Sequence, residues 1–246
     1  MSAMEWTLDV NGFEVRARFS AQTVEGVCLP LLRELTARQA HLDRRLIAFL
    51  AAPPAAGKST LAAFLQQLSC QTPGVTPLLA LGMDGFHYPQ AYLESHAALR
   101  DGAWVLMKDI KGAPETFDVA GLARALETAR TADMRWPAYD RRLHDVVPEA
   151  LEVNDDILLV EGNWLRLDEL PWRDLRCDFS AFIEADPALL TRRLAERKVR
   201  GGMSPEAAEA WVAASDGPNV ARCLARRLPA NVNLRLDDTG GLTRCP

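Results

Sequence analysis

This 246-residue chain is poor in the features that mark secreted, metal-stapled or membrane-spanning proteins. Its cysteines (Cys28, Cys70, Cys177, Cys223 and Cys245) form no C-x-x-C pair and keep no metal-finger spacing. They read as reduced thiols of a cytoplasmic protein. His41, His87, His96 and His144 also lack zinc spacing, and no nucleophile motif accompanies them, which argues against a metal hydrolase. The longest strongly apolar run, 46–56, is too short and too proline-rich to span a bilayer. The first five residues, Met1-Ser2-Ala3-Met4-Glu5, hold no basic stretch followed by an apolar one, so no secretory signal is expected. A surplus of positive charge is missing as well. The formal net charge is -5, which argues against a nucleic-acid platform. What remains is an ordinary globular balance, 48% hydrophobic and 25% charged, with no repeat and no low-complexity stretch.

Alternating arms on either side of Asn11-Gly12 predict an N-terminal hairpin over 5–19. Helical periodicity follows over 24–42 with one interruption at Pro30, a residue that could open the main helix rather than break it. Residues 1–43 are too few for a core of their own and are expected to lean on a main domain, 44–246. Within that domain, strand-like runs at 45–52, 76–81, 156–162, 179–184 and 231–237 alternate with helical patterns at 59–68, 119–130, 187–199, 205–215 and 219–227. The fold class predicted is α/β, a mostly parallel sheet flanked by helices, with ligands beyond the strand carboxyl ends.

The central motif is Ala52-Pro53-Pro54-Ala55-Ala56-Gly57-Lys58-Ser59-Thr60, which joins an apolar strand to an amphipathic helix. Backbone N–H groups at a helix start attract anionic oxygens. Lys58 adds a cation for the β- and γ-phosphates of ATP, and the Ser59 hydroxyl suits Mg²⁺. Ala52 replaces the usual first glycine, and Ala55 and Ala56 must keep ordinary dihedrals or carry strain.

Two acids stand at strand ends. Asp84, in Met83-Asp84-Gly85-Phe86-His87, could accept the proton of a substrate hydroxyl, or could close an Asx turn. Glu161 ends an apolar strand, where it suits Mg²⁺ or its water; the plainer alternative is a solvent-facing strand terminus. His87 and Tyr139 are candidate substrate contacts or core residues. The densest cationic run, 192–200, places Arg193, Arg197 and Arg200 on one helix face ahead of Gly201-Gly202. It reads as a lid near 191–203 that gathers phosphoryl charge, or as a solvated face.

Together these segments resemble the phosphoribulokinase/uridine kinase family of P-loop kinases, which includes prokaryotic pantothenate kinase. Within it the chain is most similar to bacterial nucleoside or fructose-transport-related kinase-like proteins, over about residues 44 to 240. The resemblance rests on 52–60, on 83–87, on Lys111-Gly112-Ala113-Pro114-Glu115-Thr116-Phe117-Asp118, on Pro137-Ala138-Tyr139-Asp140-Arg141 with His144-Asp145, on Val160-Glu161-Gly162 and on Asp216-Gly217-Pro218-Asn219. It implies a P-loop NTPase-type sheet with strand order 2-3-1-4-5 and an ATP:alcohol phosphotransferase. Asp84, Lys58, Arg197 and Glu161 would be catalytic, and residues 55–60 with Arg193 would hold the nucleotide. Ser59 and Glu161 would serve Mg²⁺, while His87, Lys111, Tyr139, Arg200 and Asn219 would meet a small-molecule substrate. A nucleotide-binding regulatory protein without turnover is the alternative, and a homodimer is left open.

Overall fold

A computed structural model describes residues 4–10, 12–100 and 102–245. The alternating N-terminal arms pair as β1 (Met4–Val10) and β2 (Phe13–Phe19), with Val10 opposite Phe13. That register leaves a two-residue turn, the length an Asn-Gly pair serves. Gly12 there takes a φ of 78°, and Asn11 lies outside the described residues. One helical stretch follows, as α1 (Ala21–Thr23), a π turn (Val24–Cys28) and α2 (Leu29–Gln39). Pro30 therefore does not end the helix. The wider turn just before it accommodates a ring that would clash with a regular preceding turn.

The main body then runs through β3 (Leu46–Ala51), α3 (Lys58–Gln71) and β4 (Leu78–Gly82) to a 3₁₀ turn at Met83–Phe86. Next come α4 (Gln90–Ser95), the hairpin β5 (Ala97–Arg100) and β6 (Ala103–Leu106), and α5 (Val119–Ala129). A second hairpin, β7 (Met134–Asp140) and β8 (Asp145–Val153), leads into β9 (Ile157–Gly162). The chain finishes with β10 (Phe179–Ala185), α6 (Pro187–Arg200), α7 (Pro205–Trp211), a π turn (Val212–Asp216), α8 (Gly217–Ala225), β11 (Val232–Leu236) and β12 (Leu242–Arg244).

The central sheet has the order β12-β11-β10-β3-β9-β4, parallel except for β12. Counted along the chain from β3, its parallel strands lie in the order 2-3-1-4-5. The two-residue period of β3 divides the core. Leu46, Ala48 and Leu50 face a layer built from α2, α3 and α6, while Ile47, Phe49 and Ala51 face α5 and the buried Trp136 and Trp164. The N-terminal hairpin joins the first layer through Phe19, stacked on Phe64 at 3.9 Å, and Trp6, edge-on to it at 5.0 Å.

Two hairpins and β12 have no counterpart in the periodicity. β7 and β8 each carry a proline, Pro137 and Pro148, and the ladder is irregular between Trp136 and Ala138. Prolines demote a run from strand to loop in any local reading. β12 is only three residues long.

One polar knot pins the sheet's base. The Asp178 carboxylate accepts from Arg44 Nη1 (2.9 Å) and Nη2 (2.7 Å), Arg130 Nη1 (2.9 Å) and the Ile47 N–H (2.9 Å). Burial alone would push its pKa up; the bonds from Arg44 and Ile47 and the nearby charges outweigh burial and hold it below the usual value. A depressed folded pKa means stability that is present above the unfolded pKa of about 3.9 and lost as pH falls further. Asp178→Ala is therefore expected to cost about 2 kcal/mol near neutrality, the partial solvent access of Arg44 screening the rest. In urea titrations the gap between wild type and variant should narrow below about pH 4.

Candidate active site

The phosphate-loop segment sits where β3 hands over to α3. Lys58 opens the helix, and Gly57 before it has a φ of 84°, a left-handed position that suits glycine. Ala55 is also left-handed, at 65°, while Ala52 and Ala56 are buried with ordinary φ. The alanine-rich loop thus holds its shape with strain at one residue. An L-residue in that region costs about 1–2 kcal/mol, part of which glycine's extra unfolded freedom offsets. Ala55→Gly is expected to raise the melting temperature by about 1–3 °C in a chain of this size. A lower melting temperature would contradict the strained assignment.

Three side chains gather at the start of α3. The Ser59 hydroxyl donates to Glu161 Oε1 at 2.6 Å, and Lys58 Nζ lies 3.8 Å from Glu161 Oε2. Glu161 is 5% exposed, which overturns a solvent-facing terminus at this position. Burial pushes its carboxyl up, and Asp84 adds to the push. Lys58, the Ser59 bond and Arg141 act the other way. A hydroxyl and a carboxylate side by side are hard oxygen donors, the chemistry Mg²⁺ takes.

Asp84 occupies the 3₁₀ turn after β4, half-buried. The turn is closed by backbone, His87 N–H donating to Asp84 O at 3.2 Å. Among the described residues, no group donates a hydrogen bond to the Asp84 carboxylate, so the Asx turn does not form. The segment is fixed from outside. A Cβ on Gly85 would lie 2.1 Å from Pro137 O, so only glycine lets the turn dock on β7. Trp136 Nε1 donates to Gly82 O at 2.9 Å on the same seam.

The predicted substrate-side residues divide into groups. His87 lies 3.8 Å from the Phe117 ring and 5.3 Å from Tyr139, and its Nδ1 is 2.9 Å from Asp84 O. Burial lowers its pKa, against the pull of Asp84. Lys111 donates to Gln90 Oε1 (2.8 Å) and His144 O (2.9 Å), with its ammonium 5.1 Å from the Tyr139 ring centroid. Asn219 is buried in the first turn of α8, and its Oδ1 has no hydrogen-bond partner among the described residues.

On α6 the three arginines part company. Partial withdrawal of its guanidinium from water lowers the Arg197 pKa; Asp216 and Asp84 act on it as attraction, and Arg141 and Arg200 as repulsion. Its charge therefore belongs with the acids of the site. Arg193 reaches the turn at Gly240, and Arg200 is exposed, bonding back to Glu196 O at 3.4 Å. Asp216 sits in the second π turn, 3.7 Å from Lys198.

Arg141 and Asp216 lie in segments that carry the family resemblance, but neither is given a role of its own from the sequence. Arg141 follows Tyr139 in the same loop segment and is felt by both Glu161 and Arg197. The signal that could have marked it was its place in that loop, beside an aromatic residue already chosen.

No family model matches the sequence. The chain is 42% identical over 240 residues to the uncharacterized protein YggC of Escherichia coli (strain K12), covering 96% of this chain and 98% of that one. It is 32% identical over 158 residues to a pantothenate kinase of Brucella ovis, covering 59% of this chain but 46% of that longer protein. Among solved structures it matches one from Silicibacter sp. TM1040, provisionally described as a fructose transport system kinase. That match has 31% identity and a TM-score of 0.73, over 83% of this chain and 98% of that one. The chain belongs to the same family of P-loop kinases as these proteins. It is a small-molecule kinase whose acceptor is a hydroxyl. Among the described residues no helix is long and apolar enough to cross a membrane.

Proposed function

We propose that the protein transfers the γ-phosphoryl of ATP to a hydroxyl of a sugar, nucleoside or pantothenate-like alcohol, with Asp84 as general base. The observation that carries this reading is the Asp84 carboxylate, which accepts no hydrogen bond among the described residues yet is felt by Glu161, His87 and Arg197. A group held this way by its backbone keeps its oxygens free to receive a proton.

Lys58 and the N–H groups of Ala55, Ala56, Gly57, Ser59 and Thr60 hold the nucleotide phosphates, and Arg193, which lies on α6 beside the Gly240 turn, is assigned to the same nucleotide. Ser59 and Glu161 would hold Mg²⁺, which when bound neutralises phosphoryl charge. Asp84 takes the acceptor's proton as that oxygen bonds to the γ-phosphorus, and the bond to the ADP oxygen breaks. Arg197 stabilises the charge spread over the transferring group. His87, Lys111, Tyr139 and Asn219 position the acceptor, while Arg200, exposed and bonded back to its own helix, takes no part in this reading. The kinship with a pantothenate kinase and with a protein described as a fructose transport system kinase supports an alcohol acceptor without choosing between them.

Titration with a non-hydrolysable ATP analogue and Mg²⁺ tests the nucleotide half. Wild type should bind saturably, and Lys58→Ala should weaken binding by about tenfold or more, the loss of one charge-assisted phosphate contact. Equal affinities would remove residues 52–60 from nucleotide binding.

A further inference from the structure

A cavity of about 740 Å³ opens between the N-terminal hairpin and the β7–β8 hairpin. Ser59, Glu161 and Tyr139 tie it to the site described above, but the rest of its lining has no part in those steps. Its floor is α3 and the outer edge of β4, and its inner end is formed by Ser59 and Glu161. That size falls within the range of small-molecule sites.

The floor is closed to an added strand. Among the described residues β4 pairs only with β9, and its outer N–H groups at Leu78 and Ala80 already donate to Ser69 Oγ (3.1 Å) and Gln66 Oε1 (2.7 Å). A free edge would invite β-pairing, whereas this one has its donors taken by side chains. The groove therefore suits a compact ligand rather than an extended peptide.

Its charge selects further. Asp9 and Asp140 line it, and Glu161 at the inner end is matched by Lys58. The lining's one arginine, Arg142, holds its guanidinium 5.5 Å from the Phe13 ring centroid, so the two hairpins meet through this pair. Two carboxylates against one engaged cation repel an anionic ligand. Asp9 Oδ1 accepts the Gly12 N–H, and Asp140 Oδ1 accepts the N–H groups of Arg142 and Leu143. The other oxygen of each carboxylate has no partner among the described residues. Gln67 and Gln71, one helical turn apart, add amide donors and acceptors, and Tyr139 and Phe13 offer ring faces. Amides, carboxylate oxygens and aromatic faces together match vicinal hydroxyls on a carbon skeleton.

We infer that this groove seats the distal part of the acceptor, a neutral polyhydroxylated molecule, and that the N-terminal hairpin is its selectivity wall. Calling the ligand the acceptor rests on the phosphotransfer reading; the existence of the site does not. Tyr139 joins the two regions, since it lines the groove and also lies 5.3 Å from His87.

Cys70 supplies the readout, because it lines the groove and is the one exposed cysteine of the five. The full-length protein, with Mg²⁺ and the ATP analogue present, is treated with N-ethylmaleimide, and modification of Cys70 is followed by mass spectrometry. Fructose, ribose and sorbitol are the probes; pantothenate is the anionic control and glycine betaine the hydroxyl-free control. At least one neutral polyol should slow Cys70 modification saturably, and neither control should. Phe13→Ala should raise the half-protecting concentration by about tenfold, the loss of one aromatic face, without changing analogue affinity. Gln67→Ala should act in the same direction, and both variants should melt as wild type does. No protection by any neutral polyol, stronger protection by pantothenate, or protection indifferent to both substitutions would overturn the inference. Protection that persists while Lys58→Ala leaves analogue binding unchanged would keep the groove and remove the phosphotransfer reading instead.

Discussion

Asp84→Asn is expected to lower turnover on the true acceptor by about 10²- to 10⁴-fold, the range a positioned general base contributes. Asparagine keeps the size of the side chain and loses the proton acceptor. Because the 3₁₀ turn is closed by the backbone bond from His87 to Asp84 O, the substitution leaves that turn intact. Gly85 stays seated on Pro137, so the loop should not move. Analogue affinity should hold, since the nucleotide phosphates are assigned to residues on the other loop. A matched melt, analogue titration and steady-state rate on one preparation check all three expectations. An unchanged rate would remove Asp84 from the chemistry.

Arg197→Ala carries the next largest effect, a fall in kcat of about 10²- to 10³-fold, comparable to removing a preorganised donor to the transition state. The argument is electrostatic. Arg197 is attracted by Asp216 and Asp84 and repelled by Arg141 and Arg200, so its charge sits among the groups proposed to handle phosphoryl transfer. It packs no core, and its residue is exposed on α6, so the melting temperature should barely change. Arg200→Ala is the control. That side chain bonds only to its own helix at Glu196 O among the described contacts, and its removal should cost far less. Equal losses for the two variants would mean that α6 contributes general positive potential and no positioned charge.

How legible this was from residues alone varies along the chain. The strand, loop and helix around Lys58 are readable because the apolar pattern changes there, from the continuous run of β3 to the one-sided face of α3. The N-terminal hairpin is readable from Asn11-Gly12 and two alternating arms. The order of the parallel strands has no local signal and follows only from the family resemblance. The β7–β8 hairpin stays hidden behind Pro137 and Pro148, and with it the seam that fixes Asp84.

Asp84 itself is ambiguous locally, since Asp-Gly is a turn dipeptide whatever it does. The hydrogen bonds of the folded chain set aside the Asx turn, because the carboxylate does not serve its own turn; the proton-acceptor role rests on the rate of Asp84→Asn. Arg141 shows the opposite limit. Its convergence with Glu161 and Arg197 joins three segments far apart in sequence, and no spacing rule reports such a meeting. Ala55 is a third case: the sequence poses the choice between ordinary dihedrals and strain, and the fold answers with strain at Ala55 and ordinary geometry at Ala56.

The central claim, phosphoryl transfer from ATP to an alcohol, is tested most directly by ³¹P NMR of wild-type protein with Mg-ATP and a panel of sugars, polyols, nucleosides and pantothenate. A phosphomonoester resonance should grow with one acceptor class in step with ADP, and Asp84→Asn should suppress both together. ADP that accumulates with inorganic phosphate alone, or saturable ATP binding with no product from any alcohol, would contradict it.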